Sequence, residues 1–107
     1  HGVLSISVAG VTFDNDDGKK RQNILSAIYK DSDGVGVEGE LERYEYKGEA
    51  AVRVLVESRC IGVVRKSDLP EVLPVIDRIE DVSVYVDRFE EDDGKIYRAD
   101  LHIQYAK

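Results

Sequence analysis

The sequence predicts a mainly β, α+β fold: a small, partly open antiparallel barrel with the order β-α-β-β-β-α-β-β. Three observations carry this. Most apolar residues alternate with polar ones over short runs, the period of half-buried strands. The runs are joined by brief turns rich in Gly, Asp and Glu, which suits antiparallel neighbours. Only the stretches 19–30 and 67–79 take helical spacing, so two helices cover the ends or open side of a curled sheet.

Leu4, Ile6 and Val8 alternate with Ser5, Ser7 and Ala9 in a first strand with one polar face. Beyond Gly10 the apolar positions become Val11 and Phe13, a slip of one residue that predicts a bulge or bend at Gly10. An acidic knot, Asp14, Asp16 and Asp17, then precedes the basic cluster Lys19, Lys20 and Arg21. Ile24, Leu25 and Ile28 share one face of a short helix over 19–30, with Asp16 or Asp17 able to cap it. The loop reads as solvated surface whose aspartates favour the positive end of the helix dipole.

Val35, Val37 and Leu41 alternate with Glu38, Glu40 and Glu42 in one strand that continues through Tyr44 and Tyr46. YKGEA turns the chain into Ala50, Val52, Val54 and Val56, and ESR leads on into CIGVV, a hairpin. Ser67 or Asp68 can cap a second helix with Leu69, Val72, Leu73, Ile76 and Ile79 on its apolar side; Pro70 and Pro74 suit its opening. Val82, Val84 and Val86 alternate on the next strand, and Tyr97, Ala99, Leu101, Ile103 and Tyr105 on the last, joined by EEDDG.

The bulk numbers fit one folded domain: 107 residues, 42% hydrophobic against 35% charged. A net charge of -7 is the opposite of the basic footprint of a nucleic-acid binder, although Lys19–Arg21 and Arg65-Lys66 remain local basic clusters. No apolar run approaches the about 18 residues of a membrane span, and the start lacks the basic flank of a secretion signal, so no membrane and a cytoplasmic location are expected. The absence of methionine and the His1-Gly2 start suggest a domain excised from a larger protein.

Candidate chemistry is sparse. Cys60, among Ile61, Val63 and Val64, reads as a small buried hydrophobe in a strand, and as a thiol nucleophile it lacks a nearby base. GVGVEG matches the dinucleotide G-x-G-x-x-G letter for letter, but it follows a helix and opens a strand, the reverse of the context that holds a pyrophosphate. Counting back five residues from Gly18, Gly34 and Gly94 gives Phe13, Tyr29 and Phe89, which cannot begin a calcium loop. One cysteine and one internal histidine fall short of a zinc site. Asp100, His102 and Gln104 read as the polar outer face of the last strand. The expectation is a non-enzymatic domain with no metal and no cofactor. Arg65 and Lys66 before a helix start, with Phe13, Tyr44 and Tyr46 as flat aromatic faces, are the residues suited to phosphates and unpaired bases; the bland alternative is Phe13 in the core and solvated bases.

VAGVTF, a loop and helix, and then GELERYEYKGEAAVRVLVESRCIGVVRKSDLPEVLPVID resemble a HIRAN domain over residues 8–105. The Ala51-Val52-Arg53-Val54 strand, the Ile61–Lys66 segment and the following helix carry the likeness. The resemblance implies an OB-like barrel, a type found fused to SNF2-type helicases and in small bacterial proteins, whose DNA-binding members capture the 3′ end of single-stranded DNA during DNA repair. Taken with it, the expected nucleic-acid site is Phe13, Arg53, Arg65 and Lys66, with Tyr44 and Tyr46 as the stacking faces that the residues themselves offer. Of the basic-then-aromatic pattern those members show after the first strand, Thr12-Phe13-Asp14 keeps only Phe13. Lys47-Gly48-Glu49-Ala50-Ala51 stands where they have Tyr-Asp-x-Asn-Ala. The alternative is a protein-interaction or assembly module that keeps the barrel, lacks the DNA pocket, and meets a protein partner through a sheet edge or its acidic surface.

Overall fold

The computed structural model describes residues 2–15, 17–32, 35–91 and 94–107. The chain forms β1 (Gly2–Ala9), α1 (Arg21–Ser32), β2 (Val37–Glu38), β3 (Glu40–Tyr46), β4 (Glu49–Val56), β5 (Arg59–Val64), α2 (Leu69–Val72), a 3-10 segment (Leu73–Arg78), β6 (Ile79–Glu91) and β7 (Gly94–Tyr105). The strands make one antiparallel sheet ordered β2-β6-β7-β1-β5-β4-β3. It curls into the small, partly open, OB-like barrel that the alternation predicts. Among the described residues no helix is long and apolar enough to cross a membrane.

β1 joins the two halves. Gly2 to Ser7 pair with β7, and Val8 and Ala9 pair with β5. At Gly62 a Cβ would run into the Val8 side chain and the Ala9 carbonyl, so the approach of β5 to β1 requires glycine here. Inner-face residues from every long strand meet α1 in one core. Val52, Val54, Ile61, Val84, Leu101, Ile103 and Leu25 are fully enclosed, and Val72 of α2 joins them.

The expected strand through Val35 and Tyr46 is two. It breaks at Gly39, whose amide donates to Val82 O at 2.9 Å, and whose Cβ would lie 2.6 Å from a Val84 methyl. Glycine there lets β2 pair with β6 while β3 crosses to pair with β4, so a bent segment links the sheet's two edges. Val35 lies outside both strands, 68% exposed. The second helix is also shorter than its pattern. Pro74 has no N–H for a fourth-residue bond and its ring crowds the carbonyl of residue 70, so α2 stops at Val72 and a 3-10 segment takes over. Ile79 already belongs to β6. Asp68 occupies the cap position without a side-chain cap bond.

α1 begins at Arg21, two residues later than expected, with no acid in its first turn. Asp17 accepts the Lys19 N–H instead, at 3.0 Å; Asp16, like Gly34 of GVGVEG and Asp92 and Asp93 of the last turn, lies outside the described residues. The helix is clamped to β7 by one side chain. The Gln22 amide behaves as a peptide unit, accepting from Tyr97 N at 2.8 Å and donating to Tyr97 O at 2.8 Å and Val11 O at 3.0 Å. At Gly10 the chain bends rather than bulges: β1 ends at Ala9, Gly10 takes φ 69, and Phe13 N donates back to Gly10 O at 3.2 Å. Phe13 is thereby carried out of the core and stands 67% exposed.

Candidate functional site

A groove of about 620 Å³ lies on the outer face of β3, β4 and β5. Its floor follows from strand alternation. Val52, Val54 and Val56 point to the core, so Arg53 and Leu55 point out. The register sets Glu42 opposite Arg53 and Glu40 opposite Leu55, which puts Tyr44 and Tyr46 on the same outer face. Val63 and Cys60 extend the floor onto β5. Cys60 is half-buried there, not enclosed, and its thiol donates to Gly62 O at 3.4 Å.

The wall is the β1–α1 loop. The backbones of Asp14 and Lys20 pair in an isolated antiparallel β-bridge that closes the loop on itself, helped by Asn15 N donating to Lys19 O at 2.8 Å. Asn15 Nδ2 donates to Cys60 O at 2.9 Å and pins the loop to β5. The Asn15 Oδ1 atom accepts from Arg21 Nε at 2.8 Å, while Arg21 Nη1 donates to Gly10 O at 2.9 Å. Held on two sides, this guanidinium lines the groove in a fixed place, at lower ordering cost for an anion than a free side chain.

The groove differs in charge from the rest of the molecule. Lys19, Arg21, Arg53 and Arg59 line it against Asp17, Glu40 and Glu42, four basic to three acidic, in a chain with 15 basic and 22 acidic residues. Among the described residues two of the four cations have acid neighbours: Arg53 Nε lies 3.3 Å from Glu42 Oε1 without an aligned hydrogen bond, and Arg59 lies 3.3 Å from Glu57. These partly exposed pairs are weak and exchangeable. The Arg53 guanidinium also stacks 4.1 Å from the Tyr44 ring centroid, whereas Tyr46 is 58% exposed.

Of the residues expected at a nucleic-acid site, the fold therefore gathers Tyr44, Tyr46 and Arg53. Phe13, Arg65 and Lys66 are outside the lining. Arg65 is exposed at the entry to α2, its carbonyl accepting from Asp68 N and Leu69 N. Lys66 pairs with Glu49 at 3.1 Å, beside the Tyr46 end of the floor, since Tyr46 and Glu49 face each other across the ladder. Arg59 is a lining residue that local sequence patterns did not single out; Lys19 and Arg21 were visible as part of the Lys19–Arg21 cluster, but its direction was not. On the far half of the barrel Asp100, His102 and Gln104 are exposed on the outer face of β7, as the alternation predicts. Among the described residues no three His, Cys, Asp or Glu side chains are placed to hold a metal ion. The chain matches no known family model, and no curated protein sequence matches it.

Proposed function

We propose that this domain is a non-enzymatic binding module that takes a short single-stranded DNA segment, ending in a free 3′ hydroxyl, along the β3–β5 groove. The observation that carries it is the pair Tyr44 and Tyr46 on the floor of a locally basic groove in an acidic molecule. Residues two apart on a strand are about 6.8 Å apart, twice the 3.4 Å rise of one strand of a duplex, so neighbouring bases reach both rings only when unstacked. Tyr46, more than half exposed, offers its ring to one base in exchange for the Lys47 ammonium that lies 5.3 Å from the ring centroid; the Arg53 plane stacked on Tyr44 offers the next platform, since guanidinium planes stack on bases as aromatics do. Lys19, Arg21 and Arg59 take phosphates. OB-like barrels bind single strands on a strand face, which supports a strand-face site, and the preference for a 3′ end rests on the resemblance to HIRAN modules.

Fluorescence anisotropy of a short labelled strand at low salt, with a 3′ hydroxyl or a 3′ phosphate, tests this. Saturable binding that prefers the hydroxyl is expected. With two to three phosphates neutralised, the slope of log affinity against log salt is about -1.4 to -2.1. No saturation at high protein concentration overturns the proposal. Cys60 supplies a second readout, because an occupied groove slows its reaction with a thiol reagent.

A further inference from the structure

We propose that the open edge of β3 is a self-association surface, on which a second copy of the chain adds its own β3 antiparallel about a two-fold axis. β3 is the last strand of the sheet, so one side of its backbone has no strand partner among the described residues. Two observations show which groups face out. The two-residue turn Lys47-Gly48, with φ of 51 and 81, bonds Tyr46 to Glu49, so Tyr46, Tyr44, Glu42 and Glu40 turn their N–H and C=O groups to β4. Gly39 turns its N–H the other way, to Val82. By alternation Leu41, Arg43 and Glu45 present their backbone groups to the open side. The strand ELERYEY holds no proline and no lysine, and its ladder with β4 runs without a register shift, so it lacks the usual means of blunting an edge apart from its charges.

Those charges select one register. A two-fold perpendicular to the sheet places opposed residues on the same face, so it passes through a residue position, and five such centres, Leu41 to Glu45, keep a strand residue on either side. Centring on Glu42, Arg43 or Glu45 sets that charge against itself, and centring on Leu41 sets Glu40 against Glu42. Centring on Tyr44 opposes Arg43 to Glu45 of the second copy, and Glu45 to its Arg43, with Tyr44 facing Tyr44 and Glu42 facing Tyr46. Arg43 and Glu45 are also the residues with outward backbone groups, so each ion pair sits on a hydrogen-bonded pair, and the tyrosines fall at the closer non-bonded position. The present partner of Arg43 is Asp77 at 3.7 Å, with both side chains largely exposed, a contact too weak to hold it back. The pairing joins the two groove floors into one face carrying Tyr44 and Tyr46 from each copy.

Seven residues a side is far below the about 20–30 of a standard interface, so the dimer is weak and in fast exchange. Sedimentation equilibrium of the whole chain over the widest soluble range tests it, at about 0.15 M salt, where an about 8 Å Debye length screens the repulsion between two acidic copies. A monomer–dimer equilibrium is expected. Arg43→Glu alone or Glu45→Arg alone should weaken it about tenfold, because each turns both ion pairs into like-charge pairs. The double variant Arg43→Glu/Glu45→Arg should restore it, with thermal melting unchanged throughout. A chain that stays monomeric, a dimer insensitive to either single reversal, or growth beyond dimers overturns the proposal. No nucleic acid enters the assay, so its outcome is independent of the groove's ligand.

Discussion

On the β7 half of the barrel the outer face carries Asp100, His102 and Gln104 in a row, with Ser7 Oγ donating to Asp100 across the ladder at 2.9 Å. On the β3–β5 half the same alternation brings out Tyr44, Tyr46, Arg53 and Leu55. Both halves bury valine, isoleucine and leucine inside, so burial does not distinguish them. The difference is the wall: the β1–α1 loop is tied through Asn15 to β5 and turns one outer face into a groove, while the other stays open to water. An outer face becomes a groove when a remote segment is fixed over it.

The largest effect tests whether the halves share one core. Leu101→Ala in β7 and Ile61→Ala in β5 each remove a fully enclosed side chain, and each should cost about 2–5 kcal/mol in denaturant unfolding. A single transition is expected in both variants, because β1 pairs with each half. A second transition in the Ile61 variant alone would show the groove half unfolding separately and break the comparison.

Next in size is the contrast between the outer faces. Tyr46→Ala removes a stacking platform worth about 1–3 kcal/mol per base, an affinity loss of about 5- to 150-fold for a short single strand in the anisotropy assay. Tyr85→Ala, a partly exposed tyrosine packed edge-on to His102 on the other half, should leave affinity unchanged. Phe13→Ala, outside the lining, should also leave it unchanged; a loss there would move the site to the Gly10 bend. A smaller effect belongs to the wall: Lys19→Ala or Arg59→Ala should each reduce the salt slope by about 0.7 while affecting all sequences alike.

How much of this was legible follows from the range of each determinant. Val52, Val54 and Val56, Val82, Val84 and Val86, and Leu101 and Ile103 were readable as inner faces because strand period is local, and Tyr44, Tyr46 and Arg53 follow as the outward set once strands are paired. The break at Gly39 was hidden, since the need for glycine comes from Val84, far along the chain. Phe13 followed a one-residue slip whose direction depended on whether Gly10 bulged or bent. Cys60 looked enclosed by its neighbours' composition, yet it faces the groove, because the alternation of β5 is shifted at the Val54/Leu55 irregularity. Arg21 and Arg59 were unreadable as lining residues because the Asn15–Cys60 contact that sets the wall spans 45 positions.

The smallest predicted effect concerns the turns that frame the groove, which solve one geometric problem unequally. Lys47-Gly48 and Glu57-Ser58 both take positive φ at both central positions, as two-residue hairpins with the favoured twist do, but only the first uses glycine. Ser58, at φ 65, bears the left-handed crowding of Cβ, roughly 1–2 kcal/mol, offset in part by the extra freedom glycine has when unfolded. Ser58→Gly should therefore stabilise the domain by about 0.5 kcal/mol, a rise of about 2–4 °C in thermal midpoint for a domain of this size. Gly48→Ala, at φ 81 with open space around its Cβ, should lower it by about 1 kcal/mol through backbone strain alone. Opposite signs at the two turns would tie the effect to φ; equal signs would mean that Ser58 contributes through the groove it lines, and the two hairpins would then differ by function as well as by composition.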